Sequence, residues 1–247
     1  MSNLSAKFKS TPALARKPEV KSRPSPKILA LPTKQARAER TRDRLVEAGS
    51  ALLAKGSLDD VSIAQIASAA GCSVGVFYFR FKDKDAYFQF LLDSVFEEIK
   101  ASVRFKFAPA QAPKRKPADM MSLCIDHLVS IMRTHQGLVR AAQRQTLHNS
   151  EGWQPVRVMG RWLVDQYVLC LALSHNRVKD PVFQHNARTG LHIVMSTLVN
   201  AVLNRPPQLN LESSDLVFWL NQVATLCLSV KDAPLPASLI PHELTQT

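Results

Sequence analysis

The chain has 247 residues, 46% of them hydrophobic, and its 32 Lys or Arg against 20 Asp or Glu give a formal net charge of +12. That length is ample for one small domain and one larger helical core, and the absence of any run of 18 apolar residues excludes a membrane-spanning helix. Four scattered cysteines, Cys72, Cys124, Cys170 and Cys227, form neither a zinc pattern nor a dense disulfide framework and read as buried thiols.

The excess positive charge favours a polyanionic partner, and its distribution narrows where that partner meets the chain. Residues 1–36 hold eight Lys or Arg against the single acid Glu19, with five prolines and little apolar periodicity. They read as a disordered basic arm able to sweep across phosphate or a minor groove. The arm lacks the compact apolar core and cleavage pattern of a signal peptide, so the expected location is the cytoplasm. Residues 37–105 carry ten basic and ten acidic side chains, which requires any positive patch in the folded part to be local.

The strongest local pattern is SIAQIASAAGCSVGVFYFRFKDK, residues 62–84. Ser62 followed three positions later by Gln65 is a capping box, and Val61 with Ile66 has the spacing of a hydrophobic staple. Ile63, Ile66, Ala67 and Ala70 form an apolar stripe that must pack on neighbouring helices. Gly71 is the natural stop, and Cys72, Ser73 and Val74 complete a turn into a second helix. That second helix is rich in aromatics. Phe77 and Phe81, four apart, read as core. Tyr78 sits one step off that stripe and can turn its hydroxyl toward phosphate, with Ser62, Arg80, Lys82 and Lys84 as a polar rim around a helix in a major groove.

The segment from about Arg37 to Glu98 resembles the DNA-binding domain of the TetR family of bacterial transcriptional regulators. RTRDRLVEAGSALLAKG is similar to that family's first helix with its glycine stop, and VSIAQIASAAGCSVGVFYFRFKDKDAYF to its helix-turn-helix and the start of its fourth helix. Arg80 stands where the family's aromatic run has histidine, and Cys72 replaces the commoner valine. The resemblance implies that Ser62 meets phosphate and that Ser73 and a recognition helix of Val74, Gly75, Val76, Phe77 and Tyr78 enter the groove. It further implies that Lys84 clamps phosphate. Val74, Gly75 and Val76 lack bidentate polar groups, so base readout would rest on Ser73, Tyr78, backbone groups, thymine methyl contacts and DNA shape.

Beyond this segment the periodicity predicts a helix from near Asp83 carrying Tyr87, Phe88, Leu91, Leu92, Val95, Phe96 and Ile99, followed by a loop from Ala108 to Asp119. Apolar segments follow around 120–132, 138–147, 156–173, 183–203 and 215–230, with no strand succession. The expected fold is all-α: a three-helix DNA-binding domain with a helix-turn-helix, plus a larger helical ligand-binding and dimerisation domain. The expected organisation is a basic arm at 1–36, the helix-turn-helix domain at 37–82, and an effector-binding and dimerisation domain at 83–247.

The last two apolar segments are broad enough to pair with their symmetry mates as a four-helix bundle. Leu191, Val194, Met195, Leu198, Phe218, Trp219 and Val223 are the expected interface residues. A dimer places two recognition helices about 34–36 Å apart and calls for a palindromic operator. The resemblance implies a small-molecule effector. Phe88, Met121, Cys124, His127, Trp162 and Tyr167 are candidate pocket residues, with Met132, Arg144, Trp153, Asp165, Phe183 and Met195 behind them. No histidine spacing supports a metal site, no cofactor is expected, and Asp126 with His127 or His175 with Asp180 makes no catalytic constellation by sequence adjacency. The expected function is a ligand-responsive, sequence-specific repressor, homodimeric and not an enzyme; the alternative is a constitutive architectural DNA-binding protein.

Overall fold

The computed structural model describes residues 34–55, 60–146 and 151–231, and among them the secondary structure is helical with no strand. The helices are α1 (Lys34–Lys55), α2 (Ile63–Ala69), α3 (Val74–Arg80), α4 (Lys84–Lys106), α5 (Pro117–Gln145), α6 (Gln154–Ser174), α7 (Pro181–Asn204) and α8 (Leu216–Leu228), with a short 3₁₀ helix at Pro109–Lys114 in the α4–α5 connection. Nearly all of the predicted basic arm and the glycine stop at Gly56 lie outside the described residues. Helix α1 begins at Lys34, three residues before the expected boundary.

Two apolar cores organise the helices. The smaller joins Leu45 and Ala48 of α1, Ile66 of α2, Phe77 of α3, and Val61, Ala70 and Phe81, and it is closed by Tyr87 of α4. Phe77, Phe81 and Tyr87 pack as a cluster of rings with centroids 5.2–5.4 Å apart, within the range of favourable aromatic pairs. The Tyr87 phenol is fully buried and donates to the Leu45 carbonyl at 2.7 Å. Burial pushes its pKa far up, which keeps the proton on the oxygen for that bond. The small core therefore reaches past the expected boundary at residue 82 and includes part of α4. The larger core is built from α4 to α8 and also takes in Leu53 from the end of α1.

The apolar segments read at 120–132 and 138–147 meet across a kink within one long helix. Helix α5 runs through it, and only His135 departs from helical dihedrals, at φ −111° and ψ 18°. The polar residues from Arg133 to Gln136 form the kinked turn between the two apolar stretches of α5. Two residues after the kink, Gly137 is seated against α1: a side-chain carbon there would overlap the Leu53 carbonyl and stand 2.8 Å from the Ala54 nitrogen. Glycine is needed here for close approach of two helices.

Candidate functional site

Local chemistry builds the turn between α2 and α3. Gln65 N donates to Ser62 Oγ at 3.2 Å, and the Ser62 N–H donates to Gln65 Oε1 at 2.7 Å, completing the predicted capping box. At the other end of α2, Gly71 has φ +61°. Its N–H donates to the Ser68 carbonyl while the Cys72 N–H donates to the Ala67 carbonyl, which is the double closure of a Schellman motif. Ser73 then caps α3, its Oγ accepting from the Val76 N–H at 3.3 Å. A serine hydroxyl that accepts one bond still has a proton to donate.

The outer face of α3 presents Ser73, Val74, Gly75, Val76, Tyr78 and Arg80 to solvent, with Ser62 and Lys82 exposed beside it. The Tyr78 hydroxyl makes no hydrogen bond among the described residues. Phe77 is the exception to the predicted set: it is fully buried in the small core and cannot reach a groove, because it lies on the same α3 face as Phe81. Sequence reasoning gave no role to Phe79, which is 90% exposed, although its position between Tyr78 and Arg80 on the outer face carried the signal. It also passed over Arg44, whose guanidinium lies within 3.3 Å of where a Gly71 side-chain carbon would stand and so flanks the α2–α3 turn. Lys84 is half-buried, and its Nζ donates to the Val61 carbonyl at 2.9 Å, tying the first turn of α4 to the start of α2.

Residues 45–89 match the family profile described as bacterial regulatory proteins, tetR family. The match covers α2, the Schellman turn, the exposed face of α3 and the start of α4. The chain carries a TetR-family DNA-binding domain. It is a DNA-binding transcriptional regulator, and the fold is that of solved TetR-family proteins. A TetR-family transcriptional regulator from Streptomyces coelicolor superposes with a TM-score of 0.55 at 17% identity, covering 76% of this chain and 79% of that one. The transcriptional regulator FadR from Bacillus subtilis, solved in complex with stearoyl-CoA, superposes with a TM-score of 0.56 at 19% identity over 76% of this chain and 97% of that one. No curated protein matches the sequence.

Behind this TetR-type head, a cavity of about 990 Å³ lies among α4, α5, α6 and α7. Its volume is at the upper end of the range of small-molecule sites, about 300–1,000 Å³. None of Phe88, Met121, Cys124, His127, Trp162 and Tyr167 lines it, although Met132, Trp153 and Met195 do. The first six are packing residues. His127 is hydrogen-bonded on both sides, Nδ1 to the Tyr167 hydroxyl at 2.7 Å and Nε2 to Ser102 Oγ at 2.8 Å, and Phe107 packs against both rings at a tilt. Burial, reinforced by the Lys106 charge, lowers the His127 pKa to about 4, so the imidazole is neutral and the two hydroxyls satisfy its donor and its acceptor. Cys124 is completely buried nearby, and burial raises its thiol pKa.

The expected dimer residues divide in the same way. Leu191, Val194 and Leu198 are fully buried inside the chain, because α7 runs between α5, α6 and α8 and spends its apolar stripe on them. Met195 turns to the cavity. Phe218, Trp219 and Val223 of α8 are exposed, joined by Leu226, Val230 and, from α7, Ile193. Gly190 allows α8 to lie close, a side-chain carbon there being 3.2 Å from the Ala224 carbonyl oxygen. No group of His, Cys, Asp and Glu able to hold a metal occurs among the described residues, and no described helix is long and apolar enough to cross a membrane.

Proposed function

We propose that this protein is a ligand-responsive repressor that binds a palindromic operator as a homodimer, with a head of α1 to α3 closed by the first turns of α4, an effector-binding and dimerisation body beyond it, and the basic arm ahead of α1 adding phosphate contacts. The carrying observation is that one chain couples an exposed recognition helix to a cavity through shared helices. Helix α4 closes the small core with Tyr87 and then lines the cavity with Leu92, Val95 and Phe96. Helix α5 lines the cavity with Leu138 and seats α1 against the adjacent Gly137. A molecule filling the cavity acts on both helices that position the head.

Ser73, Tyr78 and Arg80 contact DNA in this reading, with Val74 and Val76 against thymine methyls. Pairing through the exposed face of α8 brings two heads to successive major grooves. The effector changes DNA affinity only by binding the competent and incompetent arrangements unequally, and an occupied operator obstructs transcription. The stearoyl-CoA complex of the Bacillus subtilis neighbour supports treating the cavity as the effector site. The test is a genome-wide binding selection on the full-length protein with footprinting at several salt concentrations. One shared palindrome supports the proposal; diffuse recovery that vanishes with salt would instead indicate an architectural binder.

A further inference from the structure

We infer that the cavity among α4, α5, α6 and α7 takes an acidic amphiphile, a molecule with an apolar body and one carboxylate or similar anion held at the mouth. The inference rests on reading the cavity as the effector site.

Charge asymmetry carries it. The walls are apolar, with Leu92 and Phe96 on one side and Met132, Leu163 and Met195 on the others. The ionisable residues of the lining are three arginines and two histidines, with no aspartate or glutamate among them. Arg157 and Arg161 lie one helical turn apart on α6, an arrangement of like charges that is unfavourable without an intervening anion. Arg188 reaches the same region from α7.

The existing bonds single out one of these. Arg188 is paired with Asp165, which lies outside the lining, and Arg157 donates to the Gln154 side chain. Arg161 makes no hydrogen bond or ion pair among the described residues. Gly160, its neighbour in sequence, also lines the cavity and has nothing within 4 Å of where a side-chain carbon would be, so the wall is open there. A guanidinium grips a planar anion with paired donors, whereas a cationic ligand would meet the two like charges of Arg157 and Arg161 and a neutral one would leave them unanswered.

The test measures binding of octanoate, decanoate, 1-decanol and decyltrimethylammonium to the full-length protein by calorimetry, below micelle-forming concentrations and at fixed salt. Decanoate should bind about tenfold tighter than decanol, and each added methylene from octanoate to decanoate should gain about fourfold. Arg161→Gln should remove most of the acid preference and leave decanol within about twofold of its wild-type affinity. Arg104→Gln, outside the cavity, should change neither and so controls for attraction to the overall positive charge. Equal or tighter binding of the alcohol or the ammonium, no binding of decanoate, or an acid preference untouched by Arg161→Gln would overturn the inference. Binding of the operator recovered by selection is followed with the same probes. Acid-selective binding without loss of operator affinity would defeat the regulatory reading alone, and operator release by the neutral or cationic probe would defeat the acid assignment alone.

Discussion

Gly137→Ala is the sharpest probe of the seam between α1 and α5. The added carbon would overlap the Leu53 carbonyl and approach the Ala54 nitrogen to 2.8 Å, and separations under 3.0 Å are essentially never found for real side-chain carbons. The obstructing atoms are backbone, so no rotamer change relieves the clash. Restoring ordinary contact requires the end of α1 to retreat by about 1 Å, lifting Leu53, 2% exposed, from the larger core. Overpacking of this kind costs about 1–3 kcal/mol, offset by up to about 1 kcal/mol from replacing glycine in a helix. An overlap with rigid backbone falls in the upper half of that range, so the net loss is about 1–2 kcal/mol, a fall in Tm of about 2–8 °C for a chain of this size. Gly160→Ala is the matched control, since its new carbon meets nothing within 4 Å and should stabilise by about 1 kcal/mol. Thermal unfolding of both variants, with operator affinity measured in parallel, separates them. The reasoning fails if Gly137→Ala leaves Tm unchanged or raises it alongside Gly160→Ala.

Three further outcomes are expected. The His127 pKa of about 4 lies below its unfolded value of about 6.5, so the unfolded chain takes the proton first and stability falls as pH drops from about 6.5 toward 4. Between about pH 7.5 and pH 5 His127 should account for a loss of about 2 kcal/mol, and urea titrations of His127→Gln should show a pH dependence shallower by that amount. Lys84→Gln should weaken DNA binding and reduce the salt slope by about 1 if the ammonium reaches phosphate; a lowered Tm with an unchanged salt slope would confine Lys84 to a structural role, its bond with the Val61 carbonyl included. Leu226 is 69% exposed, so Leu226→Glu should yield a folded monomer in sedimentation, and a persistent dimer would place the interface elsewhere.

The head was legible because its determinants are local. Ser62 with Gln65, the left-handed Gly71 and the Ser73 cap each act within five residues, and each stands where the sequence placed it. Phe77 was assigned to the groove along with its neighbours, although its spacing to Phe81 already marked it as core. The cavity was illegible for the opposite reason. A lining residue is defined by where helices distant in sequence fail to meet, and bulky or polar side chains such as Tyr167 and His127 serve equally well to fill a core. The apolar run of α7 misled in the same way: Leu191 and Val194 are as hydrophobic as interface residues, but α7 has neighbours within its own chain to cover them.

Tyr87 sets a rule for exchanging heads between regulators of this architecture. A graft cut at residue 82 would leave behind the ring that packs on Phe77 and Phe81 and the phenol that holds Leu45, so the transplanted piece would arrive with its core open. A working chimera must be joined inside α4, beyond Phe90, and its recipient must supply a glycine where α5 meets the end of the incoming α1. The head of this protein is exchangeable only together with the first turns of the helix that carries it.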